Sequence, residues 1–425
     1  MATLDKTEKV KELGRSCPIC ENLNGRILHS QEIAAPDEFN ISPKFDIAEC
    51  TRCGMIFADT RIAQEALDDL YRDHSKYADT SIFVLPDAEN KNSSAKSESG
   101  SDEPPEAPWD LARLKQTAQY IAAVVPDKNA RILDAGCATG ALLGFLADQG
   151  FANLTGLDPS PAATATAAKR AVGITVVTGS FLNPPVDFGP FDLIILSHVL
   201  EHITDVGGAV SALRDLLAPG GSIYIEVPDA ARYVDYLVAP FHDFNTEHIN
   251  HFSLSMLNRL LADQEFEIKE NKSTTVYCSP NNEYPVIFGI WKTASGKSVK
   301  KLTAGDEALA KGVRHYIIKS RELLNQIDAR LRDEILLENP VMIWGAGQLS
   351  MKLIRNTVLA EANIVGIIDS SPQKQGLHFG GVAVISPEMT IAQTSPIVIG
   401  SIHHSAAIGK AATKILGEDR QLIYL

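Results

Sequence analysis

Arg131-Ile132-Leu133-Asp134-Ala135-Gly136-Cys137-Ala138-Thr139-Gly140 is the key to the architecture of this 425-residue chain. A short apolar run ends in a carboxylate, a glycine turn follows, and Ala141 to Gln149 carries a helical pattern. A strand feeding a glycine loop and then a helix is the repeating unit of a doubly wound parallel sheet, which binds ligands at its strand carboxyl ends. The flanking sequence continues the alternation. Leu154 to Leu157, Phe191 to Leu196 and Ser222 to Val227 read as strands, while Pro161 to Val172 and Val206 to Leu217 read as helices. The fold class is α/β.

The glycines are spaced G-x-x-x-G, not the G-x-G-x-x-G that lays backbone N–H groups on a diphosphate. An acid in the turn instead suits a ligand with a cationic amine and no phosphate. S-adenosylmethionine (SAM) fits, because its amine and sulfonium favour nearby carboxylates and its ribose hydroxyls need an acceptor. Asp134 is expected at the cationic end. Asp158, which ends the second strand in Thr155-Gly156-Leu157-Asp158-Pro159-Ser160, is expected at the ribose. Gly136, Gly140 and Pro159 shape the same edge, Ser180 and Phe181 after the third strand border the adenine, and Ser197 ends the fourth strand beside the ligand.

A second α/β unit follows the amphipathic stretch Ala304 to Leu337. Val341 to Trp344 reads as a strand, Gly345-Ala346-Gly347 as a turn, and Val365 to Asp369 as the next strand. Ser350 stands where a third glycine would complete a dinucleotide loop, although Asp369 lies near the offset of a ribose acid, so NAD, another nucleotide-like ligand and a structural role all remain open.

Cys17-Pro18-Ile19-Cys20 and Cys50-Thr51-Arg52-Cys53 are two C-x-x-C knuckles. Each turns a pair of sulfurs toward one point, and four thiolates close a tetrahedral site with no open position, which points to structural zinc. A redox dithiol and an iron–sulfur cluster are the alternatives. Six cysteines are too few for a disulfide scaffold in a chain of this length.

Composition narrows the partners. Apolar residues make up 45% and charged residues 22%, which suits folded globular domains, and the net charge of −14 disfavours nucleic acid. No apolar run is long enough for a membrane span and the amino terminus lacks a signal-peptide core, so a cytoplasmic protein acting on a small molecule is expected. The oligomeric state is not legible. Histidines concentrate in Ser197-His198-Val199-Leu200-Glu201-His202 and in Phe244-Asn245-Thr246-Glu247-His248-Ile249-Asn250-His251-Phe252-Ser253. A carboxylate beside an imidazole can tune it as a base near neutrality, which marks Glu247 and His248 as candidates.

Taken together, the cysteine knuckles, the Asp134 loop, the Ser197–His202 and Asn245–Ser253 segments and the terminal α/β unit resemble the three-domain SAM-dependent C-methyltransferases of nucleotide-linked deoxysugars. The resemblance implies a class I (Rossmann-like) methyltransferase domain between a small zinc domain and a second Rossmann-like domain. It implies a zinc-binding, substrate-contacting domain over 1–85, the SAM domain over 109–265 and a substrate domain over 266–425; the stretch 86–108, rich in Ser, Glu, Asp, Asn and Pro, is expected from its composition to be a flexible acidic linker or lid and departs from the family. It further implies that a keto sugar is deprotonated beside its carbonyl with His248 as base, assisted by Glu247, His202 and Tyr77. O- or N-methylation of a sugar or other small molecule is the alternative. One departure stands out: where such enzymes often carry a tyrosine, three residues before the base, this chain has Asn245.

Overall fold

A computed structural model describes residues 10–38, 43–61, 63, 64, 68, 108–170, 173–279, 282–294 and 305–425. The chain divides into two compact units, neither continuous in sequence. One comprises Met1–Ile62, Asp229–Ser253 and Thr303–Leu425, the other Ala63–Pro228 and Leu254–Leu302.

The first unit opens with β1 (Val10–Glu12), β2 (Asn24–Glu32), β3 (Lys44–Cys50) and β4 (Ile56–Asp59), an antiparallel sheet completed by β10 (Asn250–His251). Both of its faces are covered at the centre: Ile47 and Ile56 on one side and Ala48 and Phe57 on the other are all buried. Arg15 ties the late strand to the early ones, donating to Asn250 Oδ1 at 2.9 Å and to Ile249 O at 3.3 Å.

The second unit begins with α1 (Pro108–Val124) and alternates β5 (Arg131–Ala135), α2 (Ala141–Asp148), β6 (Asn153–Asp158), α3 (Pro161–Arg170), β7 (Thr175–Thr178), β8 (Phe191–Ser197), α4 (Val206–Asp215) and β9 (Leu217–Pro228). These strands are parallel in the order β7-β6-β5-β8-β9, so the winding reverses between β5 and β8. Parallel α/β sheets bind ligands at such a reversal, and here it falls at the Asp134 loop. After α5 (Leu254–Asp263), β11 (Phe266–Ser279) and β12 (Asn282–Thr293) form a hairpin whose β12 pairs antiparallel with β9. The sheet therefore runs on past residue 265, where the sequence suggests a boundary. Ile132, Leu143, Leu146, Leu193, Ile195 and Tyr224 form its core.

The first unit resumes with α6 (Glu307–Glu334), capped by Asp306, which accepts from Leu309 N at 2.9 Å. Then come β13 (Pro340–Trp344), α7 (Gln348–Asn356), β14 (Asn363–Ile368), β15 (His378–Phe379), β16 (Val382–Ile385), β17 (Ile397–Ile399), α8 (Ser405–Leu416) and β18 (Leu422–Tyr424). The order β15-β16-β14-β13-β17-β18 is parallel except for β15, confirming a second doubly wound sheet. The chain after β2 docks on it: Ala34 N donates to Met351 O at 2.8 Å, and Ala34 packs with Ala346, Ile367, Phe379 and Val384.

Candidate functional site

Strands β5, β6 and β8 deliver Asp134, Asp158 and Ser197 to one edge of the second unit's sheet. The loop after β5 folds back on β6, where Gly136 N and Cys137 N both donate to Leu157 O, at 2.7 and 3.1 Å. Gly136 has φ +89°, and a Cβ there would lie 2.6 Å from Val199 Cγ2, so only glycine fits. Gly140, at φ +75°, opens α2. Asp158 organises the turn: its Oδ2 accepts from Ala138 N and its Oδ1 from Ser160 N, each at 2.9 Å. A carboxylate has about four lone-pair sites, so acceptor capacity remains for a ligand. Pro159 is half-buried beside it. After β7, Ser180 Oγ accepts from Leu182 N at 3.2 Å and Phe181 is buried.

The electrostatics favour a cation. Burial, reinforced by the Asp158 charge, pushes the Asp134 carboxyl up to about 7, while burial pushes Asp158 up to about 6 against the pull of its backbone hydrogen bonds. Asp134 has no side-chain hydrogen bond among the described residues. Two enclosed acids at one sheet edge attract an ammonium or sulfonium and repel a diphosphate. The residues thus fit SAM.

Beside them lies a charge network that sequence reading missed. Arg113 of α1 donates to Ser197 Oγ at 3.0 Å and to Glu226 Oε1. Tyr224 donates to Glu226 Oε2 at 2.9 Å. His198, at φ +56°, faces Glu226 through Nε2 at 3.2 Å and Glu201 through Nδ1 at 3.1 Å. Burial opposes charge on Glu226, but Arg113 and His198 hold its carboxyl down to about 2. One signal was available: Glu226 interrupts the apolar strand Ile223 to Val227.

In the first unit the four cysteines converge. Cys17 Sγ lies 3.5 Å from Cys53 Sγ and Cys20 Sγ lies 3.6 Å from Cys50 Sγ, with all four sulfurs within 4.8 Å of one another. Tetrahedral zinc with ~2.3 Å bonds sets its sulfurs about 3.8 Å apart, so the set fits. Arg52 N and Asn22 Nδ2 approach Cys50 Sγ at 3.4 and 3.5 Å, the kind of outer hydrogen bonding that steadies thiolate ligands.

The Glu247–His248 segment also belongs to the first unit. Asn245 Oδ1 accepts from Glu247 N at 2.9 Å and from His248 N at 2.8 Å, an Asx turn that sets the direction of His248. The hydroxyl oxygen of a tyrosine stands at the far end of its ring, too distant from the following amides to close this turn. The loop is pinned around it. Gln348 donates to Thr246 Oγ1 at 3.2 Å, Asp243 N donates to the Tyr316 hydroxyl at 3.0 Å, and buried Lys352 donates to Phe241 O. The His29 ring stacks on Phe241 at 4.1 Å. Glu247 is exposed and His248 half-buried. His202 lies in the other unit, in the turn Leu200–His202, and Tyr77 and nearly all of the 86–108 stretch lie outside the described residues.

No described helix is long and apolar enough to cross a membrane. Residues 109–271 match a family model described as a methyltransferase domain. A ubiquinone biosynthesis O-methyltransferase from Xylella fastidiosa is 33% identical over 111 residues, covering 25% of this chain and 45% of the relative. Another from Methylocella silvestris is 35% identical over 103 residues, covering 23% and 40%, and an uncharacterized methyltransferase from Oceanobacillus iheyensis is 31% identical over 107 residues, covering 25% and 50%. The chain spans half or less of the length of these curated relatives. Among solved structures, magnesium protoporphyrin IX methyltransferase from Synechocystis PCC 6803 is 14% identical, with 55% of this chain and 100% of that chain covered at a TM-score of 0.41. The segment from residue 109 to residue 271 is a class I SAM-dependent methyltransferase domain, carried in one chain with a four-cysteine sheet and a second doubly wound sheet.

Proposed function

We propose that this chain is a SAM-dependent methyltransferase that C-methylates a nucleotide-linked keto-deoxysugar. The observation that carries the methyl-transfer reading is the pair of enclosed acids, Asp134 and Asp158, around a glycine loop inside a methyltransferase domain. SAM, when bound, supplies an electrophilic methyl group. The chain's own residues do the rest: Asp158 accepts ribose hydroxyls, and Asp134 sits with the cationic end. His248, aimed by Asn245, takes the proton next to the sugar carbonyl. The enolate carbon then takes the methyl group, leaving S-adenosylhomocysteine. Glu247, His202 and Tyr77 assist. The four cysteines hold structural zinc, which steadies the amino-terminal sheet.

Support for the sugar comes from the company His248 keeps. It shares one unit with the cysteine sheet and the second doubly wound sheet, the two parts to which the resemblance assigns substrate contact, whereas the expectation set His248 in the SAM domain over 109–265. The O-methyltransferase relatives favour a second reading, O-methylation of a small molecule, but their likeness covers only about a quarter of this chain.

Incubation with methyl-labelled SAM and a panel of 4-keto nucleotide sugars, followed by NMR, tests both. A new carbon-bound methyl is expected, and an O-methyl resonance would establish the second reading. Without SAM, solvent deuterium should enter the carbon next to the ketone in the wild type and fail to enter in His248→Ala.

A further inference from the structure

We infer that Glu201 is a positioning residue for His202, fixed by a chain of alternating charge that runs from Arg113 through Glu226 and His198. The inference rests on the methyl-transfer reading, in which His202 assists.

The links are short and each constrains the next. Arg113 binds Glu226, and Glu226 Oε1 lies 3.2 Å from His198 Nε2. His198 Nδ1 lies 3.1 Å from Glu201 Oε1, and the same oxygen stands 3.9 Å from His202 Nε2. Both ring nitrogens of His198 face carboxylates, which favours the doubly protonated ring against burial and the Arg113 charge. The signs therefore alternate from Arg113 to Glu201: plus, minus, plus, minus. Glu201 is fully buried and Glu226 nearly so, and enclosed carboxylates stay ionised only when partnered. At 3.9 Å the last contact is electrostatic, outside hydrogen-bonding range.

The backbone supports the same conclusion. A left-handed non-glycine residue persists only where its surroundings over-determine it, and His198 N also donates to Glu226 O at 2.8 Å. The histidine is thus held at its backbone and at both ring nitrogens. His202 N donates to Val199 O at 3.0 Å, closing the turn that sets Glu201 and His202 side by side. A chain built only for stability could end at His198 and Glu226. Here it continues to a second carboxylate whose neighbour is a half-exposed histidine.

The test uses the full chain and two readouts. Ring-nitrogen NMR of His202 in the ligand-free protein needs no turnover, so it judges the inference even if the methyl-transfer reading fails. Glu201→Gln keeps shape and removes charge. It should move the His202 ring resonances and lower kcat by about 10- to 100-fold while leaving the KM for SAM within twofold. Glu226→Gln, one link further back, should move the same resonances less. If Glu201→Gln does not fold, Glu201→Asp, which draws the charge back by one methylene, is read the same way. Unchanged His202 resonances in a folded Glu201 variant would overturn the inference. A wild-type protein that transfers no methyl group to any keto sugar, with the resonances shifted as expected, would instead sink the functional reading alone.

Discussion

Asp158 and Asp369 make the same pair of backbone contacts in two different sheets. Asp158 accepts from Ala138 N and Ser160 N, and Asp369 accepts from Ala346 N at 2.8 Å and Ser371 N at 2.9 Å. Each acid follows or ends the strand next to its glycine loop and pins that loop by its first amides. They differ in charge balance. Lys374 Nζ stands 3.3 Å from Asp369, whereas the described residues give Asp158 no such cation. The asparagine variants should therefore separate folding from binding. Either loses one backbone acceptor and should cost about 1–3 kcal/mol of stability. Only Asp158→Asn should weaken S-adenosylhomocysteine, by about 10- to 100-fold in calorimetry, with Asp369→Asn near the wild type.

Proton linkage gives the cofactor site a pH signature. Asp134 and Asp158 hold their protons up to about 7 and about 6, and a cationic ligand binds best when both are ionised. Affinity for SAM should rise as pH climbs through 6 to 7, and binding near pH 6 should release protons. Calorimetry in buffers of different ionisation heat measures that release directly, and a pH-independent affinity would contradict the assignment.

Zinc should be present at one ion per chain by elemental analysis. Cys17→Ser or Cys53→Ser should lose it, as should prolonged dialysis against a strong chelator. Metal binding in such sites is folding energy, so the metal-free chain should melt at a lower temperature, with amide protection lost first in β2 and β3. Visible absorbance from bound iron would instead indicate an iron–sulfur cluster.

Burial pulls the Lys352 ammonium from its ordinary 10.5 down to about 7, with Asp243 only partly opposing. Between those values the unfolded chain carries a proton that the folded chain lacks, so stability rises with pH by about 1.4 kcal/mol per pH unit. Lys352→Met removes the slope. Urea midpoints at pH 7 and pH 9 should show the wild type gaining about 2 kcal/mol relative to the variant.

Asn245→Ala deletes the acceptor for two amides while leaving the His248 side chain in place. Deuterium exchange into a keto sugar should slow by about tenfold or more, a cost in the range of one misdirected catalytic group. Asn245→Asp keeps the acceptor and should retain most of the exchange rate.

Much of the fold follows from local chemistry. Strands β5, β6, β8 and β13 announce themselves as short apolar runs before a turn, because both of their faces are covered by helices. The hairpin of β11 and β12 does not: Glu267, Ile268, Lys269 and Glu270 are all exposed on an edge strand, so their pattern is that of a solvated segment. The acids and glycines of the cofactor loop are adjacent in sequence and legible for that reason. Arg113 and Glu226 are not, since their meeting depends on how α1 crosses the sheet. The same holds for the joining of residues 229–253 to the cysteine sheet, which rests on partners such as Arg15 and Asn250 that lie far apart along the chain.

The interleaving of the two units has a consequence for biosynthesis. Between Ile62 and Thr303 the ribosome must make about 240 further residues before the last segment of the first unit begins to emerge. At roughly 5–20 residues per second this takes on the order of ten to fifty seconds. During that interval the nascent amino-terminal hairpins lack the carboxyl-terminal sheet they lean on, and for most of it β10 as well. An ion captured early by the four thiolates would keep them from unravelling or pairing wrongly while they wait.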